Sequence, residues 1–297
     1  MDKPQGLTSH GVVSRVRKLA NTRKVGHAGT LDPMATGLLT LGINSSTRLL
    51  TFLVGLDKEY LATIRLGQAT GTDDAEGETL TTAPASVVSA ITDPQIHAGI
   101  VPLTGDILQV PSTVSAIRVN GRHAYELARA GEVVELKSRA VTVSAFEVLA
   151  IRRGDLDGTE AGAFIDVDVR VECSSGTYIR ALARDLGDTL GIGGHLTALR
   201  RSRVGPFSVA DAPTLDDLDP ERDLVAPGAV ASRLFRTIGL QYPEVVDLSQ
   251  GKRLPGHGPD GSPVAALGPD GRLVSLVSIT DGVVKPIVNF PTSEVLA

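Results

Sequence analysis

Residues 164–172, Phe-Ile-Asp-Val-Asp-Val-Arg-Val-Glu, alternate apolar and polar side chains almost without a break. Successive side chains of a strand point to opposite faces, so this run specifies a strand with one face on a core and the other in water. An antiparallel sheet covered on one side satisfies that pattern; a parallel sheet buried on both faces does not. Partners for it are strand-like runs at residues 59–66, 133–136 and 141–149, a buried run at 38–43, and a run at 107–119 followed by the turn signal Asn120-Gly121.

Helices interrupt these strands. Thr8 or Ser9 can cap a helix with Val12, Val13, Val16, Leu19 and Ala20 on one stripe and Arg15, Arg17 and Lys18 elsewhere. Short helices are expected at residues 47–54 and 124–130, and a weak one at 86–98, interrupted by Asp93-Pro94. After Ser174-Ser175-Gly176 a helix starts with Ile179, Leu182, Ala183, Leu186 and Leu190 on its apolar side, ending before Gly191. Many strands and few helices indicate an α+β fold, a mixed or antiparallel sheet flanked by helices, rather than a doubly wound one.

The 297 residues suffice for one large domain and a small one. The acidic segment 211–223, with Pro213 and Pro220, reads as a boundary. Short strands at 264–267, 272–279 and 283–289, separated by Asp-Gly turns, then form a small β-rich unit, so the expected division is 1–228 and 229–297. Cys173 is the single cysteine, which excludes an intrachain disulfide. With no signal-like or bilayer-length apolar run, a soluble cytoplasmic chain is expected. The Asp/Gly-rich loop 67–78 lacks the ligand spacing of a calcium loop and reads as a mobile surface connection.

A net charge of −5, from 29 Lys and Arg against 34 Asp and Glu, argues against a nucleic-acid partner at first sight. The charges are segregated, however. Acids gather at Asp73, Asp74, Glu76 and Glu78 and at 211–223, while cations gather at 15–24, 118–129 and 200–203. From Lys3 to Leu31 there is no acid, but there are Lys3, Arg15, Arg17, Lys18, Arg23 and Lys24. The first carboxylate after that run is Asp32, in Gly-His-Ala-Gly-Thr-Leu-Asp-Pro-Met-Ala-Thr-Gly at 26–37. Asp-Pro alone is a turn former. An isolated acid beside His27, at the rim of a basic surface, instead suits the sugar or base of a polyanion rather than its phosphate.

Arg180 falls in the first turn of its helix, where a cation adds to the positive end of the helix dipole unless an anion compensates. Asp32 and the nearby Asp185 are both candidate partners. The histidines and the cysteine form no metal-ligand pattern, there is no phosphate-binding loop, and residues 191–194 are too short a signal for a dinucleotide site, so no cofactor or metal is expected.

The stretch 26–37 resembles the catalytic motif of the tRNA pseudouridine synthase B family. Further blocks resemble that family in the same order: Asp-Lys-Pro-Gln-Gly at 2–6, Lys-Glu-Tyr at 58–60, Arg-Leu-Gly-Gln at 65–68, Gln-Val-Pro-Ser at 109–112, Ser-Ser-Gly-Thr-Tyr-Ile-Arg at 174–180 and Leu-Arg-Arg at 199–201. The likeness covers residue 2 to about residue 209. It implies a pseudouridine-synthase catalytic domain with a small PUA-like C-terminal unit, and isomerisation of uridine 55 in the T arm of tRNA without a cofactor, by a protein that acts alone as a monomer. By the same resemblance Asp32 would be the nucleophile, Arg180 its charge partner, and Tyr60 a stacking group that assists removal of the carbon-bound proton. Tyr178 would contact the uracil edge, Leu199 would line the pocket and His27 would fill the gap left by the extruded base. Lys3, Arg15, Arg17, Arg23 and Lys24 would bind the tRNA backbone. Family members usually carry an apolar strand before the block at 2–6, so either the numbering here starts late or that edge strand is lost, and the C-terminal region is shorter than a standard PUA module, which puts a role for it in acceptor-stem binding in question.

Three other readings compete. A non-catalytic tRNA-folding chaperone needs the basic surface but not Asp32. A guide-RNA-dependent relative calls for a complete PUA domain and a basic tail. A glycosidase-like hydrolase calls for two carboxylates flanking the bond.

Overall fold

The computed structural model of the chain describes residues 1–112, 118–119, 122–123, 137–155 and 162–290. The expected helix at 124–130, the strand at 133–136, the turn residues Asn120-Gly121 and the side chains of the basic cluster at 118–129 lie outside the described residues.

The alternating run forms β12 (Ala163–Cys173), within an eight-stranded sheet among the described residues. Its neighbours are β5 (Lys58–Leu66) on one side and the 17-residue β11 (Arg139–Asp155) on the other, both antiparallel. Beyond β11 lies β8 (Gly105–Gln109). Beyond β5 lie β13 (Gly194–Val204), which also pairs with the short strand Phe207–Ser208, then β3 (Thr36–Leu38) and β1 (Asp2–Lys3). Of the strand-like run at 107–119, β8 covers only the start. The two-residue strands Arg118–Val119 and Arg122–His123 pair antiparallel farther along.

Alternation produces the two faces as expected. Ile165, Val167, Val169 and Val171 are at most 1 % exposed, and each such side chain contributes about 1.5–3 kcal/mol by leaving water. They join Ile64, Leu66 and Leu196 against α1 (Ser9–Leu19), α3 (Ala85–Ala90), α4 (Asp93–Ile100) and α5 (Ile179–Thr189). On the other face Asp166 pairs with Arg65, Asp168 with Arg152, and Arg170 with Glu59, Glu147 and Glu172.

In α1 the Thr8 hydroxyl accepts from the Gly11 amide at 2.9 Å and caps the helix. Ser9 lies inside the helix, and its hydroxyl donates to the Leu31 carbonyl and accepts from the Leu31 amide. Val12, Val13 and Val16 are buried, but Leu19 is half exposed and does not belong to the stripe. The run at 38–43 is not one strand. It divides at Leu39 into β3, in the main sheet, and β4 (Thr40–Ile43), which pairs instead with β2 (Val25–Ala28). Gly37 stands at φ +101° beside β13, where an added Cβ would lie 2.2 Å from the Arg201 carbonyl; the strands approach too closely for any side chain.

A five-stranded sheet follows in the order β15 (Thr237–Gly239), β17 (Gly261–Leu267), β18 (Leu273–Thr280), β19 (Val283–Asn289), β16 (Leu254–Pro255). The expected boundary at 228/229 falls inside α6 (Pro227–Leu234), whose Ala231 is fully buried with Leu49, Leu273, Leu276 and Phe290. Phe52, in α2 (Leu50–Val54), meets Phe235 edge to face at 5.5 Å. The segment 211–223 is likewise docked: Leu215 is buried in the main core, and the Pro213 carbonyl accepts from the Asp2 amide at 2.8 Å.

Candidate active site

Asp32 sits on the loop between β2 and β3, and its carbonyl accepts from the Ala35 amide at 3.1 Å, the turn that Asp-Pro favours. Arg180, at the start of α5, sends Nε to Asp32 Oδ2 at 3.0 Å. Of the two candidate partners it therefore takes Asp32; Asp185 is bonded by Arg184 instead. The burial of the pair is unequal. The Arg180 side chain is 5 % exposed and that of Asp32 37 %, so the cation lies behind and the carboxylate faces outward.

Arg180 is also held from below. Its Nη1 donates to the Thr72 carbonyl at 2.8 Å and stands 3.4 Å from Asp74 Oδ2. Arg184 grips the same loop through Asp73. The loop at 67–78 is thus not a free connection: Asp74 is 3 % exposed, and Thr70 and Asp74 are anchored by internal hydrogen bonds. A buried guanidinium requires acceptors around it, and that loop supplies them.

A cleft of about 500 Å³ opens over Asp32, lined by Tyr60, Tyr178, Arg180, Leu199, Arg201 and Lys58 among others. Strand register assembles its floor: Tyr60 lies opposite Arg201, Ala62 opposite Leu199, and Arg201 opposite Gly37. Tyr178 caps α5, with its amide and carbonyl both bonded by the side chain of Gln109, at 2.8 and 3.0 Å. Burial pushes the Tyr60 phenol above its usual range, and the adjacent Arg201 pulls it part of the way back. Burial brings Lys58 down to about 8, with Arg201 adding to the effect, and its ammonium donates to the carbonyls of Val54 and Leu56.

The other expected residues divide. Arg15, Arg23 and Lys24 are exposed on α1 and the turn after it. Arg17 is half-buried, with Nη2 on the Val25 carbonyl at 3.2 Å, so it braces β2 rather than facing a phosphate. Lys3 is fully buried, contrary to expectation. Its ammonium donates to the carbonyls of Pro4, Pro33 and Ala35, at 2.9, 3.3 and 2.6 Å, which ties β1 to the Asp32 loop. Burial lowers Lys3 to about 8 despite the opposing pull of Asp32 and Glu76. His27 lies on β2, outside the cleft lining, and is driven toward its neutral form by burial, then by Arg201 and His10.

Asp74, Arg201, Lys58 and Ser112, whose hydroxyl accepts from Arg180 Nη1 at 3.4 Å, escaped the sequence reading. Four acids in one loop carry no mark that separates Asp74, and the burial of Arg201 depends on strands distant in the chain. The quoted blocks at 58–60, 109–112 and 199–201 do contain Lys58, Ser112 and Arg201, and these were the available signal.

Among the described residues no group of three or more His, Cys, Asp or Glu side chains could hold a metal ion, and no helix is long and apolar enough to cross a membrane. Residues 17–179 match the profile of the TruB family pseudouridylate synthase N-terminal domain. Residues 180–238 match a tRNA pseudouridylate synthase B C-terminal domain, and 235–291 match a tRNA pseudouridine synthase II C-terminal domain. Proteins named tRNA pseudouridine synthase B are 56 % identical over 298 residues in Leifsonia xyli subsp. xyli, spanning 99 % of this chain and 96 % of that one. In Thermobifida fusca the figures are 53 % over 293 residues, 99 % and 98 %. Among solved structures, an H/ACA RNP bound to a substrate RNA containing 2′-deoxyuridine aligns with TM-score 0.69 at 25 % identity, covering 98 % of this chain and 83 % of that one. A Cbf5–Nop10–Gar1 complex aligns with TM-score 0.67 at 25 % identity, covering 98 % and 82 %.

Proposed function

The chain belongs to the TruB family and is a tRNA pseudouridine synthase; from that premise we propose that it acts alone, as a monomer, on uridine 55 of the T arm, with Asp32 as its nucleophile. The observation that carries this reading is the Asp32–Arg180 pair: a carboxylate facing a nucleoside-sized cleft, with its counter-cation buried behind it.

The reaction breaks the C1′–N1 bond, turns the uracil and joins C1′ to C5. The proton on C5 leaves and N1 gains one, so nothing is oxidised and no water is added. A carboxylate can open this route by attacking the sugar at C1′, with the uracil leaving as its anion, or by adding to C6 of the ring; either way it is expelled at the end. The target base must leave its stack to reach Asp32. Tyr60, Leu199 and Tyr178 line the cleft, which supports a reading in which Tyr60 stacks on the base and assists loss of the C5 proton, Leu199 lines the pocket and Tyr178 contacts the uracil edge. His27, on β2 outside the cleft, suits the vacated space in the T loop. The exposed cations Arg15, Arg23 and Lys24 suit the phosphates of the arm, where charge neutralisation supplies most of the affinity.

Single-turnover conversion of an unmodified tRNA transcript, with pseudouridine mapped by position, tests this reading. Asp32→Asn keeps the shape and the turn but removes the nucleophile. It should lower the rate by at least about a thousandfold while tRNA affinity stays within roughly tenfold. Near-normal conversion by Asp32→Asn, or modification away from position 55, would overturn it.

A further inference from the structure

Arg201 is 1 % exposed and is among the largest fully buried side chains of the protein. Among the described residues no carboxylate stands within ion-pair distance of it. Its Nε donates to the Leu38 carbonyl at 2.8 Å and its Nη2 to the Gly29 carbonyl at 3.0 Å, and it lies across the strand pair from Tyr60, whose phenol feels its charge. Desolvating an unpaired cation costs several kcal/mol unless acceptors surround it, and an apolar side chain of similar size would fill the space without that cost.

The placement of those acceptors points to a role. Gly29 lies three residues before Asp32 and Leu38 six after it, so one planar group spans both ends of the segment that carries the nucleophile. Arg201 also pairs across the sheet with Tyr60, and its backbone runs against Gly37. The close approach at Gly37 leaves its strand no freedom to shift, and Gly29, at φ +89°, has Arg201 Nη1 3.4 Å from where a Cβ would sit. Tyr60, the Asp32 loop and the cleft floor thus share one fixed point.

We propose that Arg201 is a positioning residue for pseudouridylation: its guanidinium sets the Tyr60 hydroxyl relative to the Asp32 loop, and it acts on the reaction through those two groups rather than by touching the substrate. This rests on the roles assigned above to Asp32 and Tyr60. A lysine cannot replace it, because an ammonium lacks the planar fork that reaches both carbonyls while keeping its charge beside the phenol.

Single-turnover kinetics on a tRNA transcript, combined with binding titrations, tests the proposal in a double-mutant cycle of Arg201→Met and Arg201→Lys with Tyr60→Phe. Each Arg201 variant alone should be slower by about a hundredfold, with affinity changed less than about threefold. In the Tyr60→Phe background the same substitutions should cost less than about tenfold, because the partner through which they act has lost its hydroxyl. Full additivity overturns the proposal, as does near-normal turnover by Arg201→Lys. If Arg201→Met fails to fold, Arg201→Lys carries the cycle. If Tyr60→Phe is too slow to measure, or the wild-type protein itself converts no tRNA and so fails the functional reading, the fluorine resonance of Tyr60 in fluorotyrosine-labelled full-length protein decides: Arg201→Lys must move it, and an unmoved resonance overturns the proposal.

Discussion

Asp32 and Asp74 share one guanidinium, Asp32 at Nε of Arg180 and Asp74 at its Nη1, yet the first carboxylate opens to the cleft and the second is sealed beneath it. Under the role proposed for Asp32, the sealed partner keeps Arg180 in place while the open one engages substrate.

Asp74→Asn should therefore slow catalysis without touching the reacting atoms. Arg180 keeps Asp32 and the Thr72 carbonyl but loses its buried counter-charge, and a shift of about 1 Å in such a constellation costs on the order of a hundredfold in rate. Single-turnover kinetics should show that loss at nearly constant tRNA affinity, with a lowered unfolding midpoint. An unchanged rate would reduce Asp74 to scaffolding.

Lys3 gives a pH signature with a definite sign. Its pKa falls from 10.5 unfolded to about 8 folded, so between those values the unfolded chain binds more protons and stability rises with pH. The stability gap between wild type and Lys3→Met should move in favour of wild type from pH 8 toward 10.5, as read from denaturant midpoints. Lys58 titrates alike in both proteins and drops out of the difference.

On the basic surface, Arg15, Arg23 and Lys24 are exposed, whereas Lys3 and Arg17 are spent on backbone carbonyls. Replacing the three exposed residues with alanine should weaken tRNA binding and flatten its logarithmic salt dependence by about one unit for each phosphate that is no longer neutralised. Arg17→Ala should leave the slope unchanged. Titrations at several salt concentrations separate the two.

We propose the domain division near Asp223, before α6 rather than within it. A chain ending there should keep the main sheet but uncover Leu49 and Phe52, which pack against Ala231, Phe235 and Phe290. That burial is worth a few kcal/mol, so the midpoint should fall by roughly 5–10 °C with unfolding still cooperative in calorimetry. Loss of cooperativity would show that the two sheets fold as one unit.

What could be read from the sequence was what depends on near neighbours. β12 follows from alternation over nine residues, and the start of α5 from a turn followed by a 3.6-residue stripe, which placed Arg180 correctly in the first turn. Asp32 stood out because no other acid lies near it. Lys3 opens the long acid-free run, which assigns it to the basic surface, while its burial is decided by carbonyls about 30 residues away. The division at Leu39 has the same origin: the apolar pattern runs on, but the two halves find partners in different sheets. Asp74 and Arg201 acquire meaning only when strands and loops distant in the chain converge.

The ion pairs on the outward face of the central sheet change what a net charge of −5 means to an approaching polyanion. Asp166 is bonded by both ends of the Arg65 fork, Asp168 by Arg152, Glu59 by Arg170, and Glu172 by both Arg170 and Arg203. Each pair is a short dipole whose field dies away within a few ångströms, well inside the Debye length of about 8 Å at physiological salt. At the distance where an RNA is first captured, those acids have no voice. The lone charges around α1 are long-ranged by comparison, so a molecule negative in sum can present a positive face where it matters.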